Sequence, residues 1–171
     1  MTLSTMLRSS ALITLLIALA GCATAPYQPI PEGYTGPRAS ITDTAKTRSG
    51  SLAEVFAVVE VDGKSVANSF HATAINNQGK GFALTPTVVE RELPTTPVKL
   101  KLRASHVTGA PIQAMAMQIA GTYVVVEGVV NFEPQPSKRY RVAGELKKEG
   151  AAVWIEDVET NQPITARISS K

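Results

Sequence analysis

Beyond residue 37, apolar and polar positions alternate with a period of two, the spacing at which successive side chains leave opposite faces of a β-strand. "PVKLKLR" is the cleanest case: Val98, Leu100 and Leu102 point one way, Lys99, Lys101 and Arg103 the other. "AEVFAVVEV" sets Ala53, Val55, Ala57, Val59 and Val61 against Glu54 and Glu60, and Asp62-Gly63 follows directly. Asp-Gly between apolar strands is a strong hairpin signal, because both residues tolerate positive φ. "TYVVVEGVVNF" is apolar on both faces up to Val126, as a central strand would be. "EPQPSK" turns the chain into "RYRVAGEL", where Tyr140, Val142 and Leu146 share a face. "KKEG" then leads into "AAVWIED", and "VETNQ" into a closing "PITARI". Seven to nine short strands with turn residues between them predict a mainly β domain, an antiparallel β-sandwich, over residues 38–171.

One stretch fits two templates. In "APIQAMAMQIAG", Pro111 suits a first helical position, Gly121 suits a stop, and Ile112, Met115 and Ile119 line one helical face. As a strand, Gln113, Met115, Met117 and Ile119 alternate with alanines equally well. The fold therefore holds at most one short helix.

Upstream the pattern changes twice. Arg8 precedes an apolar run from Ala11 to Ala20, interrupted only by Thr14, with no acidic residue in positions 1–21. A membrane-spanning helix needs roughly 20 apolar residues, so this run has the length of a secretory signal peptide, residues 1–21. Residues 22–37 hold Pro26, Pro29, Pro31 and Pro37 with Gly33 and Gly36, a composition that favours an extended tether reaching roughly 45 Å.

Leu19-Ala20-Gly21-Cys22 resembles the lipobox of bacterial lipoproteins. The resemblance implies cleavage between Gly21 and Cys22, a diacylglycerol on the Cys22 sulfur and an acyl chain on the new amine. A single acyl chain anchors only marginally, which is the physical reason for several. Ala23 in place of Asp implies, by the sorting rule of that family in Gram-negative bacteria, the outer membrane, with the domain facing the periplasm. Further on, "NFEP", "KRYRVAGEL" and "VWIEDVETNQPI" resemble the closing strands of small proteobacterial envelope lipoproteins. That likeness implies a transthyretin-like or immunoglobulin-like sandwich and carries no activity. Thr160-Asn161 stands where that pattern often has Thr-Gly, and asparagine keeps the turn.

Cys22 is the chain's one cysteine, so no thiol remains for a disulfide and the core alone must hold the domain. The formal net charge is +3, of which Arg8 in the leader supplies one unit, and no Lys/Arg run exceeds two residues. That is no footprint for nucleic acid, which calls for clustered basic residues. His71 and His106 do not form a metal-ligand pair, and the cysteine is committed, so neither a metal site nor a cofactor is indicated. "GKSVA" follows the Asp-Gly hairpin and not a strand-to-helix turn, which removes it as a nucleophile elbow. Glu156 and Asp157 leave a strand on opposite faces and Glu159 belongs to the turn, which argues against paired acid–base chemistry.

Two surface features remain as a possible binding face. Lys99, Lys101 and Arg103 form a row of cations about 7 Å apart, suited to an anionic envelope polymer or an acidic envelope protein. Trp154, the only tryptophan, shares its face with Glu156 because Val153 and Ile155 take the inward side. It is either core or an exposed contact. The expected function is a non-catalytic, lipid-anchored binding or structural module. Its alternative is an envelope hydrolase or carbohydrate-processing enzyme built from scattered residues.

Overall fold

The computed structural model describes residues 25–147 and 149–170. Two sheets face each other. The first runs in the order β10 (Ile168–Ser169), β9 (Gly150–Asp157), β8 (Arg139–Lys147), β1 (Arg38–Thr42), β5 (Glu90–Pro94). The second runs β2 (Thr44–Ser49), β3 (Leu52–Val61), β6 (Val98–Thr108), β7 (Val125–Phe132), with β4 (Lys64–Ser65) attached to β3. Every pairing is antiparallel except β1 with β8. Two short helices, α1 (Ser69–Asn76) and α2 (Pro111–Ile119), are inserted between strands. The mainly β sandwich is as expected. Among the described residues it has ten strands, two of them only two residues long, and one helix more than the pattern disclosed.

Phe56, Val58, Leu100 and Leu102 from the second sheet meet Ile41, Leu93, Val142, Val153 and Ile155 from the first, all fully buried. The inward set of β6 is the expected one. On β3 the faces are reversed: Phe56 and Val58 enter the core, while Ala53, Val55 and Ala57 are buried on the outer face, against which α1 packs. A β-bulge at Val59 then flips the alternation, since Val58 pairs with Leu102 but Glu60 with Lys101. One extra residue puts Val61 back inside. The Asp62-Gly63 turn has φ of 50° and 76°, the left-handed values that an Asp-Gly hairpin supplies. β7 is an edge strand and not a central one, with Val126, Val130 and Phe132 buried and Val125 and Val129 exposed.

Asp43 is the single residue between β1 and β2, where the chain crosses from one sheet to the other. Its carboxylate is fully buried. Oδ1 accepts from the Val58 amide at 3.1 Å and lies 2.8 Å from Arg91 Nη1. Oδ2 accepts from the Ser69 amide, the Ser69 hydroxyl and Arg91 Nη2, at 2.9–3.0 Å. One side chain thus ties β1, β3, β5 and the start of α1 together. Asn68 caps α1 by accepting from the amides of Phe70 and His71. Asn77 closes it, its amide donating to the carbonyls of Thr73 and Thr85.

Of the tether expected over residues 22–37, the stretch from Tyr27 to Ile30 lies against the domain. The Tyr27 amide donates to the Ser65 carbonyl at 2.9 Å, its ring takes the Lys64 ammonium 4.6 Å from the centroid, and Pro29 is buried. An aromatic ring with a cation at hand and an unpaired strand carbonyl within reach is enough to hold a proline-rich segment down. This docking site is at the lower end of the second sheet, where β3 ends and β6 begins.

Candidate binding surfaces

The basic row on β6 keeps its expected face, but its charges are matched. Lys101 lies 3.2 Å from Glu60 and 3.5 Å from Glu127, one on each neighbouring strand. Its pKa is raised, chiefly by the hydrogen bond to Glu60 and then by the charge of Glu127. Arg103 turns its guanidinium over the Phe70 ring of α1, 5.4 Å from the centroid, and is half-buried. Lys99 is exposed. Among the described residues the row offers one solvent-facing cation beside a neutralised pair and a stacked arginine, and so presents no strong positive field.

Trp154 does share its outward face with Glu156, and it is covered. Its exposure is 7%. The indole N–H donates to Glu156 Oε1 at 2.9 Å, and the Arg167 guanidinium lies 4.0 Å above the ring. Glu156 also accepts from Arg141 Nε and Nη2 at 2.9 and 2.8 Å. Asp157 points the other way and accepts from the amides of Glu159 and Thr160, closing the β9 turn. Those amides, Thr160 first, hold its carboxyl below the usual carboxylate range, opposed by burial. The acidic group is therefore split into two structural roles, as the strand geometry requires.

The two histidines are far apart in kind. His71 is exposed on α1, beside a cleft of about 740 Å3 whose other walls are Ala25–Tyr27 and Lys64–Asn68, with no carboxylate in its lining. His106 is buried at the upper end of the sandwich interior, opposite Glu54 on β3. Its Nδ1 accepts the Val124 amide at 3.2 Å, which requires an unprotonated nitrogen there. Burial pushes its pKa down, Arg48 adds to the lowering and Glu54 opposes it. Glu54 takes Arg48 on Oε1, and its buried Oε2 finds no partner among the described residues. No group of three or more His, Cys, Asp or Glu side chains suited to a metal ion occurs among the described residues.

Among the described residues the most exposed apolar feature is α2. The undecided stretch is a helix here, with Gly121 at φ 65° just past its end. Ile112, Met115 and Ile119 are 65%, 59% and 87% exposed, and none of the nine residues is buried among the described part of the chain. Gln113 ties the helix down: its amide donates to Ser51 Oγ at 2.9 Å and its Oε1 accepts from the Ala110 amide at 3.2 Å. Phe82, 60% exposed, sits beside the helix root, where its backbone carbonyl occupies the space a side chain on Gly109 would need. The sequence signal was the helical reading of Ile112, Met115 and Ile119, an apolar face with no obvious element to bury it.

Gly21 and Cys22 lie outside the described residues. No helix among the described residues is long and apolar enough to cross a membrane. Comparison with protein-family models, with characterised proteins and with solved structures finds no match to this chain.

Proposed function

We propose that the protein is an envelope lipoprotein, anchored through a diacylated, N-acylated Cys22 in the outer membrane on its periplasmic side. It acts as a non-catalytic module that holds a binding surface away from the bilayer. The supporting observation is the placement of two ends. Tyr27, five residues from Cys22, docks at the lower end of β3, and the apolar face of α2 is rooted at the upper end. Five extended residues reach at most about 18 Å, and the ten residues of β3 span about 30 Å. A short leash on one end and an uncovered apolar helix on the other suit a stalkless module whose contacts lie on its far side. The partners this fits are the membrane, through the lipid, and an envelope protein at the exposed end. The basic row and Trp154 give that reading little support, because their charges and rings are already engaged. The hydrolase alternative gains none from His71, whose cleft offers it no carboxylate.

The test is Cys22→Ser. The variant should lose fatty-acid labelling and no longer fractionate with outer membrane. Retained labelling at wild-type level would overturn the anchor.

A further inference from the structure

Tyr27 to Ile30 lie across the lower end of the second sheet as a strap with few fastenings. Among the described residues one backbone hydrogen bond joins it to the domain, from the Tyr27 amide to the Ser65 carbonyl at 2.9 Å. The Lys64 ammonium lies 4.6 Å from the Tyr27 centroid, Tyr27 is half-buried beside Val66, and Pro29 is buried. Two clefts of about 370 and 740 Å3 run beside the strap, one walled by Val89 and β5, the other by the start of α1. Native interiors leave few voids, so a segment bordered by clefts is retained by its few contacts rather than by close packing. Gly33, exposed, turns the chain at φ 76°, and beyond it Tyr34 belongs to the base of β1, where Arg38 Nη2 donates to its carbonyl at 2.7 Å. The strap thus has a hinge outside the sandwich. A unit with so few buried contacts opens on its own, without global unfolding.

The seat is nevertheless selective. A residue buried at position 29 would have to find a partner for its backbone N–H, and proline carries none. Lys64 favours an aromatic ring two residues earlier, and the Ser65 carbonyl accepts one amide from an extended chain. Proline-rich segments hold such an extended backbone before they bind, so little ordering remains to be done. We propose that Tyr27–Ile30 is a reversible strap occupying a peptide-recognition seat in cis, and that the seat, once the strap lifts about Gly33, takes an extended Tyr-x-Pro segment of a partner protein. The chain's own Tyr27-Gln28-Pro29 displays the chemistry that fits. While seated, the strap competes with the partner as a tethered ligand at an effective concentration in about the millimolar range. The device goes beyond the anchored module and works alike with or without lipid on Cys22.

The full chain and a synthetic peptide with the sequence of residues 25–31, APYQPIP, carry the test. Tyr27→Ala should leave the urea midpoint nearly unchanged and bind the peptide roughly tenfold more tightly than the unsubstituted chain, because the tethered competitor is weakened. Amide shifts at Ser65 and Val66 during a titration read the affinity. Alanine in place of the peptide's tyrosine should lower that affinity roughly tenfold. In the unsubstituted chain the Tyr27 amide should exchange with solvent roughly a hundredfold faster than the buried Asp43 amide, which donates to the Val89 carbonyl. Equal exchange at the two amides, or a Tyr27→Ala chain that no longer folds, would make the strap part of the sandwich and overturn its reversibility. Equal peptide affinity in the two chains, no binding to Tyr27→Ala, or indifference to the peptide's tyrosine would overturn the seat.

Discussion

The ring of Phe56, on β3, fills the space that a side chain on Gly144 of the facing β8 would occupy; the Ala152 carbonyl crowds the same point. The space at Gly144 is already filled, and glycine is required for contact rather than for backbone freedom. Lys46 completes the arrangement, its ammonium donating to the Gly144 carbonyl at 2.8 Å and lying 5.0 Å from the Phe56 centroid. Thr44 likewise donates to the Val142 carbonyl at 2.6 Å, so side chains of β2 satisfy carbonyls along β8 after the chain has left β1. Gly144→Ala should destabilise the domain by about 3 kcal/mol, the upper end for overpacking a filled core. Urea unfolding followed by Trp154 fluorescence measures it. A loss below about 1 kcal/mol would mean that the sheets separate there without strain.

Asp43 and Arg91 make the second test. Arg91's side chain is 7% exposed, and Asp43 is the only carboxylate paired with it among the described residues. Breaking a buried pair from one side leaves the other charge uncompensated and costs about 3–5 kcal/mol. Asp43→Asn should therefore destabilise by that order and loosen the start of α1, since Ser69 loses its ionised acceptor. Hydrogen exchange at the amides of Val58 and Ser69 reports the local part. If those amides stay as protected as in the parent chain, the carboxylate is not what fixes the crossover.

Much of this architecture was legible in the chain, and the exceptions have physical causes. The strands β6, β8 and β9 follow their alternation because β6 keeps one uninterrupted register with β7, and β8 with β9. β3 does not, because the bulge at Val59 moves alternate residues to the other face and because α1 buries the outer side, leaving alternation uninformative about which face is core. α1 itself, "SFHATAIN", has a weak apolar face and depends on Asn68, Asn77 and the Asp43 contact, tertiary features that periodicity does not display. The stretch 110–121 alternates and repeats at helical spacing at once. It becomes helix where β6 has ended and a helix satisfies its own backbone groups. The expected contact surface was placed on Lys99, Lys101, Arg103 and Trp154 because their types suit binding. Their partners, Glu60, Glu127, Phe70, Glu156 and Arg167, come from other segments and only the fold brings them in.

Those partners separate the three cations of β6 by cost. Lys99→Gln should be within about 0.5 kcal/mol of neutral, as exposed substitutions are. Arg103→Gln gives up the stack on Phe70 together with the packing of its stem, and should cost about 1 kcal/mol or more. Lys101→Gln leaves Glu60 and Glu127 facing each other across β6, so its effect should shrink as salt rises and screens them. Denaturation midpoints of the three single variants at low and high salt give the ranking. Equal, salt-independent losses would show that the row is not organised by these neighbours.

Arg167 and Trp154 allow a spectroscopic check of the covered face. Arg167→Ala removes the guanidinium above the indole and should shift the emission of the one tryptophan to longer wavelength, with a stability loss of about 0.5–1 kcal/mol. Glu156→Gln keeps an acceptor for the indole N–H but removes the charge that Arg141 pairs with, so its loss should exceed its spectral change. Iodide quenching distinguishes the two. Ready quenching of the unsubstituted chain would contradict a covered Trp154.

His106 gives the domain a pH dependence whose sign is fixed by its surroundings. Burial lowers its pKa in the folded state below the ordinary 6.5, with Arg48 adding to the lowering and Glu54 opposing it. Between the two values the unfolded chain binds a proton that the folded chain does not, so stability falls as pH drops. The contribution is complete above about pH 6.5 and declines as the pH falls toward the folded value. The Val124 backbone also opposes the lowering, and its amide donates to Nδ1 at the point where the chain returns from α2 to β7. His106→Gln keeps an acceptor for that amide and titrates nowhere in this range. Its unfolding free energy should therefore lose the decline between about pH 6.5 and pH 5, while the shallower loss from Asp157 at more acidic pH remains. Urea midpoints collected from about pH 8 to pH 5 for both chains decide it. A variant that keeps the full decline would place the titrating group elsewhere, and a parent chain whose stability rises on acidification in this range would mean that Glu54 outweighs the burial.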